Sequence, residues 1–145
     1  MLRFLEKQGY TKLIGVEPSL PKSSKIGNIE FIKAFASPDT ILERVDLIFA
    51  NAVFEHIEDI NSVLQFVKNN LKPTGELFFA VPNAEAQLET GDAALFIHEH
   101  VHYYTKNSIN YLLAKNGFRS KSIVQELDVI YVSAIIDEKI SLPLN

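Results

Sequence analysis

Three histidines alternate in the segment FIHEHVHYY, residues 96–104. If the segment is extended, His98, His100 and His102 share one face, because side chains alternate along extended backbone. Imidazole is a common metal ligand and also the side chain that exchanges protons near neutral pH. No carboxylate pattern completes an obvious facial set of ligands, so we expect no metal ion here. Two interpretations remain: the histidines take part in catalysis, or they shape a loop and cover a pocket.

A carboxylate follows the apolar run from Leu13 to Val16, at Glu17-Pro18. An acidic side chain at the end of the second strand of a nucleotide-binding α/β fold can accept hydrogen bonds from both ribose hydroxyls. An acidic residue in a solvated turn is the alternative interpretation. Glu17 therefore becomes a candidate ligand only in the company of further motifs.

Strands must position these residues, and apolar runs predict where the strands lie. They predict strands at 13–16, 29–32, 45–50 and 76–81, followed by two closing strands at 119–126 and 129–136. The run from Val45 to Ala50 is apolar almost throughout, as expected of a parallel strand buried on both faces. The two residues between the closing strands are few enough for an antiparallel hairpin.

Helices alternate with the strands. Residues 2–8 resemble the end of a helix that Gly9 closes. A second helix is indicated by apolar spacing at i, i+3, i+4 and i+7, from Ile60 to Leu71, and Asp59 or Asn61 can cap its start. Thr105 is expected to cap another helix, which Gly117 ends. Two further helices are possible, one before and one after the strand at 29–32.

This alternation predicts an α/β fold with a Rossmann-like, mostly parallel sheet and a C-terminal antiparallel strand pair. Such folds bind ligands beyond the carboxyl ends of their strands. Functional residues are therefore expected at the following strand ends: Glu17, Phe35-Ala36, Ala50-Asn51-Ala52 and Pro82-Asn83.

Four segments, taken in order, resemble class I S-adenosylmethionine-dependent methyltransferases. They are GVEPS (15–19), VDLIFANAVFEHIEDI (45–60), LKPTGELFFAVPN (71–83) and YYTKNSINYLLAKNGF (103–118). Each is loose alone, but together they keep the order and spacing of the family over nearly the whole chain. The resemblance implies S-adenosylmethionine as the cofactor, an antiparallel last strand, and a single, partial methyltransferase domain over residues 1–145.

The resemblance also implies roles for individual residues. Glu17 would hold the ribose, Phe35 and Ala36 would lie near the adenine, and Ala50 and Asn51 would line the methionine end of the cofactor. Many relatives have an acidic residue where Phe35 stands. Phe35 would therefore offer packing rather than a hydrogen bond to the adenine amino group.

Catalytic roles follow from a second resemblance. The residues HEHVHYYT are similar to the HEH-x-x-Y-(F/Y)-(S/T) pattern of bacterial sugar C-methyltransferases, in which a Glu-His pair handles protons. By this resemblance, Glu99 would orient His100, and His100 would accept a proton from the substrate. Glu55 and His56 lie in the loop after the fourth strand, where they would either line the substrate pocket or bond backbone at the head of the next helix.

The beginning of the family pattern is not in this chain. A ribose-binding acid lies about 20 residues after the glycine motif in such folds, and Glu17 is the seventeenth residue. We therefore expect the first strand and the glycine-rich loop to precede Met1, which would make this chain a fragment of a longer protein. That strand is central in the family, so the sheet should split without it and leave two inner edges unpaired. We expect the isolated chain to fold poorly and to bind S-adenosylmethionine weakly.

Composition excludes several classes of function. The net charge is −4 without a Lys/Arg stripe, which argues against nucleic acid, and no apolar run is long enough for a membrane span. There is no cysteine, which excludes thiolate chemistry. We expect a cytoplasmic enzyme that methylates a small-molecule substrate, a sugar or another metabolite.

Two alternatives remain open. A non-catalytic methyltransferase-like module is favoured by the absent glycine loop. A nicotinamide-dependent oxidoreductase could also place Glu17 on a ribose, but the EHIED segment at 55–59 and the closing antiparallel pair argue against it.

Overall fold

The computed structural model describes residues 1–91 and 99–140, and its fold is α/β. The chain divides into two compact units, Met1–Thr40 and Ile41–Asn145. Within the described residues, no helix has both the length and the apolar character needed to cross a membrane.

The first unit carries α1 (Leu2–Lys7), β1 (Leu13–Val16), β2 (Ser24–Ile26) and β3 (Ile29–Ile32). β1 and β3 are parallel neighbours and have the predicted bounds, while β2 pairs antiparallel with the other edge of β3. Gly9 ends α1 as predicted, with a φ of 92° that favours glycine. The helices that were possible on either side of β3 do not form. β2 occupies part of the first connection, where prolines at 18 and 21 disfavour a helix.

The second unit carries the remaining elements: β4 (Val45–Asn51), a 3-10 turn (Phe54–His56), α2 (Ile60–Asn70), β5 (Leu71–Pro82), α3 (Ala84–Thr90), α4 (Lys106–Lys115), β6 (Phe118–Glu126) and β7 (Val129–Ile136). The strand order is β4-β5-β7-β6. β4 is parallel to β5, and β7 is antiparallel to both of its neighbours. The predicted closing antiparallel pair is therefore confirmed.

Capping residues set the ends of the two longest helices. Asp59, rather than Asn61, caps α2: its carboxylate accepts bonds from the backbone N–H of Ser62 at 3.1 Å and from the Ser62 hydroxyl at 2.6 Å. Thr105 caps α4 in a reciprocal pair of bonds with Ser108, as the sequence predicted for this position. Both helices bury one apolar face against the sheet.

β4 corrects one prediction. The sequence indicated a strand buried on both faces, but none of its residues is buried, and Leu47 and Phe49 are 51% and 38% exposed. The reason is its place in the sheet: β4 is an end strand with β5 on one side only. In β5, which has a strand on each side, Leu77 and Phe79 are 0% and 1% exposed.

The strands form two sheets, with orders β1-β3-β2 and β4-β5-β7-β6. Among the residues that the structure describes, β1 and β4 each pair along one edge only. The sequence predicted this split and these two unpaired edges.

Candidate active site

A sharp turn follows β4 and begins the candidate site. Ala52 has a φ of 51°, a left-handed backbone conformation that residues other than glycine rarely adopt. Its backbone N–H nevertheless donates to the carbonyl of Ala80 in β5 at 3.0 Å, so the turn is held to the sheet. The chain then enters the 3-10 turn Phe54–His56, beyond the carboxyl end of β4.

Backbone bonds join this 3-10 turn to the segment after residue 98. The carbonyl of Glu55 accepts from the N–H groups of Val101 and His102 at 2.8 and 3.2 Å. Nδ1 of His56 lies 3.0 Å from the carbonyl oxygen of Glu99. Because a carbonyl oxygen only accepts, Nδ1 must carry a proton, so the tautomer with a lone pair on Nε2 is the one that fits a neutral ring.

Two imidazoles and a buried carboxylate meet at this junction. The ring centroids of His56 and His100 are 4.9 Å apart, in an edge-to-face arrangement. The carboxylate of Glu55 is 2% exposed, and its Oε1 lies 3.9 Å from Nε2 of His56. The other oxygen of Glu55 is buried without a hydrogen-bond partner in the described part of the chain. We call Glu55, His56 and His100 the Glu-His-His cluster.

Tyr104 connects the segment that carries His100 to the 3-10 turn and to the end of β5. Its hydroxyl donates to the carbonyl of Phe54 at 3.2 Å, and its backbone bridges to Asn83 at the end of β5. Burial, together with the negative charge of Glu55, raises the pKa of Tyr104 above its usual range. The hydroxyl therefore stays protonated and remains a donor. Phe54 itself packs on Phe79 of β5, with ring centroids 4.8 Å apart.

The structure brings some of the predicted catalytic residues together. His56 and His100 are adjacent, whereas Glu99 is exposed and contributes its carbonyl oxygen to the ring of His56. The ring of His102 lies instead near Tyr104, at 5.9 Å between centroids. His98 lies outside the described residues. Glu55 was expected in this loop beside His56 but was not predicted to be catalytic; the burial and contacts of its carboxylate single it out.

In the first unit, the predicted cofactor residues lie beyond the ends of β1 and β3. Oε1 of Glu17 accepts from the backbone N–H of Ser19 at 2.9 Å, and the bonds from Ser19 lower the pKa of Glu17. Glu17 is therefore a charged, exposed acceptor, which suits ribose hydroxyls. Phe35 is 74% exposed and Ala36 half-buried. An exposed ring of this kind suits packing against a flat base.

In the second unit, Ala50 and Asn51 are the last two residues of β4 and pair with Phe79 and Ala80 of β5. Ala50 is half-buried and Asn51 is exposed. Both lie directly before the turn that leads to the Glu-His-His cluster, so a small side chain and a polar amide stand at the carboxyl end of this strand.

A family model described as a methyltransferase domain matches residues 1–123. The chain belongs to this family. Its members are class I S-adenosylmethionine-dependent methyltransferases, and S-adenosylmethionine is their cofactor. The family resemblance of the four sequence segments is thereby confirmed.

Relatives of this methyltransferase domain include enzymes for different acceptor atoms. The C-methyltransferase NovU of Streptomyces niveus is 33% identical over 73 residues, which cover 50% of this chain and 17% of NovU. The malonyl-[acyl-carrier protein] O-methyltransferase 1 of Coxiella burnetii is 29% identical over 92 residues, which cover 63% of this chain and 33% of that protein. The methyltransferase domain thus spans a third or less of these two relatives.

A solved structure supports the fold. The Burkholderia thailandensis 1,6-didemethyltoxoflavin-N1-methyltransferase, with bound 1,6-didemethyltoxoflavin and S-adenosylhomocysteine, matches with a TM-score of 0.71 at 14% identity. The match covers 93% of this chain and 65% of that one. The Rossmann-like fold of the methyltransferase domain is therefore confirmed.

Proposed function

We propose that this chain is part of a longer enzyme that transfers a methyl group from S-adenosylmethionine to a small-molecule acceptor, a sugar or another metabolite. The observation that carries the proposal is the family match over residues 1–123. Two matches add support: one relative is a C-methyltransferase, and a solved structure of similar fold is an N-methyltransferase with 1,6-didemethyltoxoflavin bound. The net charge of −4 fits an enzyme without a nucleic-acid partner, and we expect this enzyme in the cytoplasm.

The cofactor half of the proposal assigns five residues. Glu17 accepts hydrogen bonds from the ribose hydroxyls, and its lowered pKa keeps it ionised for that purpose. Phe35 and Ala36 pack near the adenine, while Ala50 and Asn51 line the methionine end. Bound S-adenosylmethionine supplies a methyl group that its sulfonium has already activated.

The chain's part in the reaction is to align the acceptor and to remove its proton. A nucleophilic atom of the acceptor forms a bond to the methyl carbon as the sulfur–carbon bond breaks, and the electron pair of the broken bond stays on sulfur. S-adenosylhomocysteine and the methylated acceptor are the products. We assign proton removal to His100, with Glu99 beside it in the chain and His56 against its ring.

The test is isothermal titration of S-adenosylmethionine into a protein extended upstream of Met1. Glu17→Ala should weaken binding at least about tenfold, the loss expected when bonds to a charged acceptor are removed. Glu30→Gln is the matched control, because Glu30 is an exposed carboxylate on the neighbouring strand β3. If the extended protein binds no S-adenosylmethionine, the proposal is wrong and the chain is a non-catalytic methyltransferase-like module.

A further inference from the structure

Glu55 is the one acidic or basic residue that is buried among the residues that the structure describes. Its side chain is 2% exposed, and one carboxylate oxygen is buried without a hydrogen-bond partner in that part of the chain. Removing an ionised carboxylate from water is costly unless a positive charge or several donors compensate. The nearest group that can carry a compensating charge is the ring of His56, whose Nε2 lies 3.9 Å from Oε1, beyond hydrogen-bond distance.

His56 presents a lone pair next to this carboxylate. Its Nδ1 donates to the carbonyl of Glu99, so Nε2 is free, and Nε2 lies 3.9 Å from Oε1 of Glu55. Histidines that bind metal ions commonly donate their other ring nitrogen to a carbonyl, which fixes the tautomer and the ring orientation. His56 has this arrangement.

His100 completes a set of three possible metal ligands. Glu55, His56 and His100 each offer one ligand atom, and these three atoms lie within 4.8 Å of one another. Metal bonds of about 2.0–2.2 Å place donor atoms about 3–3.5 Å apart in a tetrahedral site. The cluster must therefore contract on binding. His100 is half-buried and lies in a segment without helix or strand, and metal binding requires its ring to rotate toward the other two side chains.

We propose that Glu55, His56 and His100 bind a divalent transition-metal ion such as Zn²⁺. Two imidazoles and one carboxylate suit this class of ion, whereas Mg²⁺ and Ca²⁺ prefer sites made of oxygen atoms alone. Three protein ligands leave at least one coordination position open. The sequence argued against a metal because no carboxylate pattern accompanied the histidines, and Glu55 reaches them only through the fold.

The open position suits an acceptor hydroxyl, because a metal-bound hydroxyl loses its proton more easily than a free one. In the metal-bound protein the lone pair of His100 is engaged, and the proton of the hydroxyl leaves to solvent. This extension to catalysis rests on the proposed function, whereas metal binding itself does not. Without the metal, removal of the proton by His100 stands as proposed above.

The experiment is a titration of untagged, metal-free protein with Co²⁺, followed by visible absorption, and with Zn²⁺, followed by calorimetry. It is run on this chain, or on the form extended upstream of Met1 if circular dichroism shows that only the longer form is folded. We expect one ion per chain. Glu55→Gln and His100→Asn should each weaken binding at least about tenfold, as changes at metal sites commonly do. Glu58→Gln is the matched control, since Glu58 is an exposed carboxylate three residues away.

A melting curve keeps the test decisive if a variant is poorly folded. Zn²⁺ should raise the melting temperature of the parent and of Glu58→Gln, because an ion that binds only the folded state stabilises it. It should leave Glu55→Gln unchanged. The inference is overturned if the parent binds no ion, or if Glu55→Gln binds as tightly as the parent.

A parallel titration with S-adenosylmethionine in the presence of a chelator separates this inference from the proposed function. Cofactor binding without metal binding would overturn the metal site alone. Metal binding without cofactor binding would overturn the proposed function alone.

Discussion

Oε1 of Glu55 lies 3.9 Å from Nε2 of His56, its neighbour in the chain, and the carboxylate is buried while the imidazole is partly exposed. The 3-10 turn makes this possible because it directs one side chain inward and the next toward the segment that carries His100. A buried charge thus lies beside an accessible ring.

Replacing Glu55 by glutamine should stabilise the metal-free protein. The neutral amide keeps the shape but removes a buried carboxylate, one oxygen of which has no hydrogen-bond partner among the described residues. We expect the free energy of unfolding in urea, measured with a chelator present, to rise by about 1 kcal/mol. Glu58→Gln should change it by less than about 0.5 kcal/mol, as is usual for exposed positions. Destabilisation by Glu55→Gln would show that the carboxylate is already compensated in the metal-free fold.

Tyr104→Phe should destabilise the protein and remove part of its sensitivity to high pH. Loss of the hydroxyl leaves the buried carbonyl of Phe54 without this donor, which we expect to lower the free energy of unfolding by about 1–2 kcal/mol. Tyr111→Phe is the control, because Tyr111 is 48% exposed on α4.

The direction of the pH effect follows from the raised pKa of Tyr104. A tyrosine that holds its proton more tightly in the folded state contributes stability that is complete below the unfolded pKa of about 10. That contribution is lost as the pH rises further. Urea unfolding between neutral pH and about pH 11 should therefore show a steeper loss in the parent than in Tyr104→Phe. Equal slopes would contradict the assignment.

Asp59→Ala and Asn61→Ala distinguish the two possible caps of α2. Asp59 accepts two bonds from Ser62, so its replacement should cost about 1 kcal/mol of unfolding free energy. Asn61 accepts one exposed hydrogen bond from Asn116, and its replacement should lower the free energy of unfolding by only a few tenths of a kcal/mol. The same urea transition measures both, and a larger effect at Asn61 would mean that the helix begins elsewhere.

Leu47→Ala and Leu77→Ala compare an end strand with an interior one. Leu77 in β5 is fully buried, so its truncation should cost about 2–5 kcal/mol. Leu47 in β4 is 51% exposed, and its truncation should cost less than about 1 kcal/mol. Both variants are made in the 145-residue chain, without an upstream extension. A large cost at Leu47 would show that β4 is covered in solution.

The sequence by itself determined the elements whose causes are local. β1, β3 and the closing hairpin were predicted from short apolar runs and turn residues, and the caps at Thr105 and Gly117 were predicted from side chains that act within one helical turn. The family could also be recognised from the sequence, because four motifs keep their order along the chain.

Only the tertiary structure decided the exposure of β4 and the partners of Glu55. An apolar run looks the same in an end strand and an interior strand, since burial depends on which distant segments pair beside it. The sequence placed Glu55 beside His56 in the loop after β4, but it gave no sign that the segment after residue 98 would fold over this loop. That segment also brings His100 to His56, across a separation in sequence that no local pattern can predict.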